Sequence, residues 1–359
     1  MKNLARILIA MVLILMTLGA GIIFSARGYT FFISHVGKIV FSIGVFLFFA
    51  VLPYKYYRNF SKYFLIGIII LLVYTLLFAS NIKGAARWIN FGFISFQPSE
   101  IAKVFLLMHL AVMIERKGEE IKDFNGGLRY MLLWIGAVCG LIFLQPNVST
   151  TAIVALTSFI LLFVGGARIF HLGSIVGGLA FIGGLGAMIF PHSRTRIMSF
   201  INSVLDGTNI NLQVLQSKIA LGSGGLFGLG IGHSRQSDLF LPEPHNDFVF
   251  SVVGEELGFI GALVILFAYM AIFFVGILIA KRAKDNFGQL LAFALSFTIV
   301  SSAFIHVAVG LGLLPTTGIT LPFISFGGTS IIIFSMSIGI LINIALGTER
   351  HYEIRKARA

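Results

Sequence analysis

Asp247 ends a short polar cluster in FLPEPHNDFVFSVVGEELGF, residues 240–259, with Glu243, His245 and Asn246 in the four residues before it. Carboxylates beside an imidazole can take up a proton or ligate a cation, the two services that most transfer chemistry needs. The same position suits a plainer role. Asp247 follows Pro242 and Pro244 and precedes the apolar run FVFSVV, so it could cap a helix N-terminus, which aspartate favours and the helix dipole stabilises. A cap alone does not require the polar neighbours.

Other charged residues raise the same choice. Glu100 and Lys103 stand at i, i+3 at the start of an apolar segment, close enough on a helix to neutralise each other. Glu255 and Glu256 are adjacent and point about 100° apart on a helix, so at least one needs a buried partner or a proton; the reading for GEELG is structural. Arg87, Arg194, Arg196 and Arg235 can hold lipid headgroup phosphate or grip a substrate phosphate with the two-pronged geometry of guanidinium. The glycine cluster GSGGLFGLGIG follows no strand, which removes a dinucleotide-binding reading and leaves tight turns or close backbone approach. No His, Cys and Asp spacing suits a tetrahedral metal site, and no serine-nucleophile motif is present.

The elements that must carry these residues lie in a membrane. Of 359 residues 57% are hydrophobic and 11% charged, which excludes an ordinary soluble domain. Apolar runs of the length that crosses roughly 30 Å of hydrocarbon as a helix recur along the chain. They predict an all-α integral membrane protein with ten spans, at 7–26, 36–53, 63–80, 99–114, 129–145, 149–166, 171–190, 249–279, 288–313 and 328–347. The first run has a basic flank without a small-residue cleavage site and is read as a retained helix. The single Cys139 lies within a span, so neither a disulfide framework nor a thiolate metal site is expected.

Basic residues concentrate in alternate connections. With the N-terminus inside, 17 of the 26 lysines and arginines fall on cytoplasmic segments, which predicts both termini cytoplasmic. The net charge of +12 then reads as topology plus attraction to anionic lipid, with no nucleic-acid partner required. Glu100, Asp206, Asp238, Glu243 and Asp247 fall on or beside outer segments, so the chemistry is expected outside. Residues 1–359 read as one membrane domain, with a long outer loop at about 191–246 between the seventh and eighth spans. Two more outer connections, 81–99 and 313–330, are rich in Gly, Pro and aromatic residues. Irregular backbone at such depth is tolerated only against protein or a watery cavity, and three such segments predict a cleft.

Four stretches, GAARWINFGFISFQPSEIAK, LQSKIALGSGGLFGLGIGHSRQ, LPEPHNDFVFSVVGEELGFIG and LLPTTGITLPFISFGGTS, resemble in this order the SEDS family (shape, elongation, division and sporulation) over nearly the whole chain. GEELG and TTGITLPFIS are more similar to the division branch, FtsW, than to the elongation branch, RodA. The resemblance implies a peptidoglycan glycosyltransferase of the bacterial cytoplasmic membrane that polymerises lipid II. It also implies a class B penicillin-binding protein as transpeptidase partner, and association with divisome or elongasome proteins. The family's essential loop aspartate falls on Asp247 and its Glu/Lys pair on Glu100 and Lys103. On this reading Asp247 accepts a proton from the acceptor hydroxyl, with His245 and Glu243 in support. Diphosphate charge is met by Arg87, Arg194, Arg196 and Arg235 or by a divalent cation, Mg²⁺ or Mn²⁺, which Asp247 could instead hold; no organic cofactor is implied. One departure stands out: where the family commonly has E-P-D-x-G-T, this chain reads QPNVSTT, with Gln145, Asn147 and Ser149. The rival readings are a lipid II flippase, which many spans and intramembrane charges would also suit, and a non-catalytic scaffold.

Overall fold

The computed structural model describes residues 1–79, 87–90, 95–205, 211–236, 240–241 and 243–358. Asp206 and Asp238 lie outside the described residues. In hydrocarbon, backbone groups have no water to bond and must bond within their own segment, so apolar runs become helices. In chain order these are α1 (Lys2–Val51), α2 (Tyr54–Phe78), α3 (Pro98–Lys117), α4 (Arg129–Leu144), α5 (Val148–Val164), α6 (Ile169–Ala187), α7 (Pro191–Leu205), α8 (Leu212–Ser223), α9 (Val249–Arg282), α10 (Asn286–Gly310) and α11 (Gly328–Arg358). A two-residue ladder pairs Ile89 with Phe96 and Asn90 with Ser95 ahead of α3.

Helix α1 joins two expected spans. Its 50 residues would extend roughly 75 Å if straight, more than twice the hydrocarbon thickness. The break is at Gly28, with φ 74° and ψ −170°, a conformation that a side chain would disfavour. Both halves then meet the same segment, since Gly19 abuts Phe323 and Ile324 while Phe31 packs on Phe326. Among the described residues seven helical segments are long and apolar enough to cross a membrane, α1 among them, and α5 is a shorter apolar helix. Counting α1 twice and adding α3 and α5 recovers ten passes.

Helix α3 carries Glu100, Lys103, Glu115, Arg116 and Lys117, more charge than a lipid-facing helix can bear. It avoids lipid by sitting at the centre, packed against α2, α4, α5, α10 and α11, and most of its residues are buried. The expected long loop folds into α7 and α8. The amphipathic stretch RIMSFINSVL lies in α7.

The basic connections converge on one end of the bundle. There Arg58 pairs with Glu115 at 3.1 Å, and Glu115 also accepts the Phe287 N–H at 3.2 Å. The Tyr54 hydroxyl donates to Asp285 at 3.1 Å, and Asp285 caps α10 through the Gly288 N–H. Asn343 accepts from the Tyr54 N–H and donates to the Ala50 carbonyl. The polar cluster around Asp247 occupies the opposite end.

Candidate active site

Asp247 lies in a turn that leads into α9, half-buried and one residue before the helix boundary at Phe248. It faces the irregular segment between α10 and α11. Its Oδ2 stands 3.8 Å from where a Cβ on Gly318 would be, and Gly318 has φ 72°. The same segment receives Arg196 of α7, which donates to the Thr316 carbonyl at 3.3 Å. Burial lowers the Arg196 pKa while the Asp247 carboxylate opposes that shift, so the two side chains share one electrostatic field. Arg87 joins them. Burial and then the Arg196 charge push its pKa down to about 10, which leaves it cationic at neutral pH. Arg87 bonds the carbonyls of Gln145 and Pro146, which are the first two positions of the QPNVSTT departure. Gln145 and Asn147 are both buried, and Gln145 donates to the Leu72 carbonyl at 3.0 Å. The amides at these two places therefore help to pack the cleft wall without adding charge.

The segment 316–330 links the remaining candidates. Its Phe326 N–H donates to the His245 carbonyl at 2.9 Å, and the Ser325 hydroxyl donates to the Asn246 carbonyl at 2.9 Å. From below, the Tyr269 hydroxyl holds the Pro322 carbonyl and His306 bonds the Ile319 carbonyl at 2.7 Å. The His245 ring is buried against Phe31 and Phe326 and accepts from Arg27 at 3.2 Å. At the far end of the segment, Ser330 donates to Glu100 at 3.4 Å. Glu100 and Lys103 form the expected pair at 3.2 Å, 13% and 4% exposed, and the Lys103 ammonium lies 5.1 Å from the Phe334 ring centre.

Other candidates are placed apart. Arg194 is exposed and lines a cavity of about 760 Å³ with Met188, Ile189, Pro191, Thr195 and Met198. It is two residues from Arg196, so the two project roughly 200° apart on α7. Arg235 is exposed, and its N–H donates to Glu255. Glu243 adopts φ 51° in the turn and its carbonyl accepts the Asn246 N–H. Glu255 collects the N–H groups of Arg235 and Gln236 and the Ser234 hydroxyl, while Glu256 takes the Ser25 hydroxyl and the Gly232 N–H. Both carboxylates thus anchor the glycine loop. That loop lies backbone to backbone on the break in α9: a Cβ at Gly228 would be 2.1 Å from the Glu256 carbonyl oxygen, and one at Gly258 would be 2.3 Å from the Gly228 nitrogen. Among the described residues no three His, Cys, Asp or Glu side chains converge on a cation, so they do not form a metal cage by themselves.

The residues that sequence reasoning missed are Arg27, His35 and Lys38 of α1. Lys38 was visible as a lysine inside an apolar run, a costly placement that points to function. Its partner, Phe326, lies 288 residues away and no local pattern connects them.

A family model described as a cell cycle protein, FtsW/RodA/SpoVE, matches residues 2–350. A probable peptidoglycan glycosyltransferase FtsW of Geobacter metallireducens is 37% identical over 299 residues, covering 82% of this chain and 79% of the relative. A protein of the same description from Coxiella burnetii is 36% identical over 352 residues, covering 94% and 93%. Stage V sporulation protein E of Bacillus subtilis is 34% identical over 353 residues, covering 94% and 96%. Among solved structures, a chain described under "Structural coordination of polymerization and crosslinking by a peptidoglycan synthase complex" superposes with a TM-score of 0.80 at 23% identity, over 95% of this chain and 97% of that one. The rod shape determining protein RodA of Thermus thermophilus gives 0.72 at 24% identity, over 95% and 96%. These two likenesses show a shared fold.

Proposed function

The chain belongs to the FtsW/RodA/SpoVE family, and on that premise we propose that it is a peptidoglycan glycosyltransferase, which joins lipid II units into glycan strands for cell division or cell shape. The observation that carries the mechanism is the placement of Asp247: a half-buried carboxylate at the mouth of the bundle, against Gly318 and in the field of Arg196. Glycosyl transfer needs a base for the acceptor hydroxyl and charge stabilisation for the departing diphosphate. Asp247 takes the proton of the acceptor 4-hydroxyl as its oxygen bonds the anomeric carbon of the donor, and the bond from that carbon to the diphosphate breaks with inversion. Arg196 and Arg87 offset the negative charge at this mouth. Glu100 and Lys103 hold the start of α11 through Ser330 and so set the far end of the segment that Asp247 faces. If the diphosphate brings a divalent cation, Asp247 is the carboxylate that would meet it.

The mouth faces outward in this reading. On this reading the basic connections gathered at the Arg58 end lie on the cytoplasmic side, together with both termini, in a bacterial cytoplasmic membrane. A cross-linking partner, a class B penicillin-binding protein, belongs to the same reading; its support is the likeness to a chain from a complex described by polymerization and crosslinking together.

The test is strand synthesis from lipid II by the purified chain in detergent, with and without Asp247→Asn. Asparagine keeps the size and polarity of aspartate but cannot accept the proton. The wild-type chain should make strands and the variant almost none, with equal yield of folded protein. A flippase would make no strands where there is no membrane to cross, and a scaffold would be indifferent to the substitution.

A further inference from the structure

Lys38 and His35 stand three residues apart on the second half of α1 and share a helix face. No carboxylate is within ion-pair reach of Lys38 among the described residues, where Glu100 serves Lys103 and Glu115 serves Arg58. The Lys38 ammonium instead lies 3.2 Å from the centre of the Phe326 ring and bonds the Phe326 carbonyl at 3.3 Å. A ring face and one carbonyl orient an ammonium without cancelling its unit charge. His35 is fully buried with its ring stacked on Phe326, and neither ring nitrogen has a hydrogen-bond partner among the described residues. A buried polar group in that state calls for a specific cause, and ligand binding would supply one. Lys38 also abuts Gly328, the first residue of α11, its Nζ 3.9 Å from where a Cβ there would be. The unpaired N–H groups of that first turn add roughly half a positive charge. Two lysines and a helix end against the single carboxylate of Glu100 leave a surplus of roughly one and a half positive charges.

From this surplus we propose that Lys38, His35 and the first turn of α11 form a second anion subsite, which takes a phosphate group of a lipid-linked substrate. The proposal rests on the glycosyltransferase reading. When sugar donor and acceptor are each carried on a prenyl diphosphate, transfer brings two diphosphates to one mouth. Arg196 at Thr316 and Lys38 at Phe326 stand at opposite ends of the same segment, so each diphosphate meets its own cation and the two negative charges are kept apart.

The experiment titrates the full chain in neutral detergent with geranylgeranyl diphosphate and counts bound molecules by native mass spectrometry. The wild-type chain should bind two, Lys38→Met one and Lys38→Arg two, with Arg196→Ala losing the other. Methionine keeps the length and apolar stem of lysine, and equal retention of the folded monomer peak checks that the variant is intact. The affinity of the affected site should fall about ten- to hundredfold with the charge. Two molecules bound to intact Lys38→Met with unchanged affinity would overturn the subsite. Displacement of the Lys38-dependent molecule by an equal concentration of phosphatidylglycerol would overturn the substrate assignment and make this a lipid headgroup site. The count needs no turnover. A chain that shows the Lys38-dependent pattern yet polymerises nothing would sink the glycosyltransferase reading alone, while polymerisation with no Lys38-dependent binding would sink the subsite alone.

Discussion

At the Arg58 end, Glu115 answers Arg58 and also caps the backbone of α10, and Asp285 and Asn343 tie Tyr54 to two further helices. At the Asp247 end, Lys38 meets a ring and a carbonyl, Arg196 and Arg87 lie within each other's repulsion, and segment 316–330 has no regular structure before α11 begins at Gly328. In the first arrangement these buried groups are matched donor to acceptor, and the surplus of basic residues lies on the connections around them. The second keeps cations in excess of its carboxylates: Glu100 answers Lys103 and Asp247 acts on Arg196, while Lys38 and Arg87 are held by a ring and by backbone carbonyls rather than by counter-charges. Such a site is costly until an anion arrives, which suits the diphosphate recognition proposed above, while the matched groups of the other end supply rigidity.

The largest contrast should come from Asp247→Asn set beside Glu115→Ala. On the proposed mechanism, loss of the Asp247 carboxylate should lower strand synthesis by about 10² to 10⁴ with little change in thermal inactivation. Loss of Glu115 should do the opposite: a lower midpoint of thermal inactivation in detergent, with activity per folded molecule within about twofold. If Glu115→Ala abolished turnover in fully folded protein, the division of labour between the two ends would fail.

Next in size is the Glu100 and Lys103 pair, which is buried enough that removing one partner strands the other. Single changes to alanine should each cost about 3–5 kcal/mol, and a double-mutant cycle in thermal stability should show about 1–3 kcal/mol of coupling. Additive costs would mean that the two charges are solvated separately. A smaller effect is expected at the loop that Glu255 and Glu256 anchor. Gly228→Ala places a methyl against the Glu256 carbonyl, and overpacking of this kind typically costs about 1–3 kcal/mol; an unchanged inactivation midpoint would show that the loop can lift from α9. The smallest belongs to Arg58, which is 42% exposed. The arginine side of its pair with Glu115 is open to solvent, which screens the pair, and Glu115, 13% exposed, keeps the Phe287 N–H as a partner, so Arg58→Ala should cost only about 1 kcal/mol and shift the midpoint little, and by less still in high salt. A large shift there would mean that the Arg58 end relies on charge more than on its caps.

Much of the site is legible in the amino-acid sequence. Asp247 announces itself by polar company at the edge of an apolar run, and Glu100 with Lys103 by helical spacing. The irregular 313–330 connection is visible in its prolines and glycines. The equivalence of the four outward arginines is an artefact of reading charge without direction. Arg194 and Arg196 look alike in sequence, yet the helical turn of α7 sends one to an open cavity and the other to Thr316. Likewise Glu255 and Glu256 read as two costly neighbours, and nothing local shows that each is met by hydroxyl and backbone N–H donors from the glycine loop or from α1.

By itself the sequence determined what depends on short range and on solvent: which segments must be helical in hydrocarbon, where basic residues mark alternate connections, and which acids stand at helix starts. These follow from backbone hydrogen bonding and from the cost of placing charge in lipid, and both act on each segment alone. Tertiary structure decided which of those segments share a neighbour. Lys38 became part of a candidate site because residues 326–328 return across it, and Asp247 because Gly318 leaves room beside its carboxylate. Such contacts join residues far apart in the chain, and they are selected by how the helices pack together, a property of the whole bundle that no single stretch encodes.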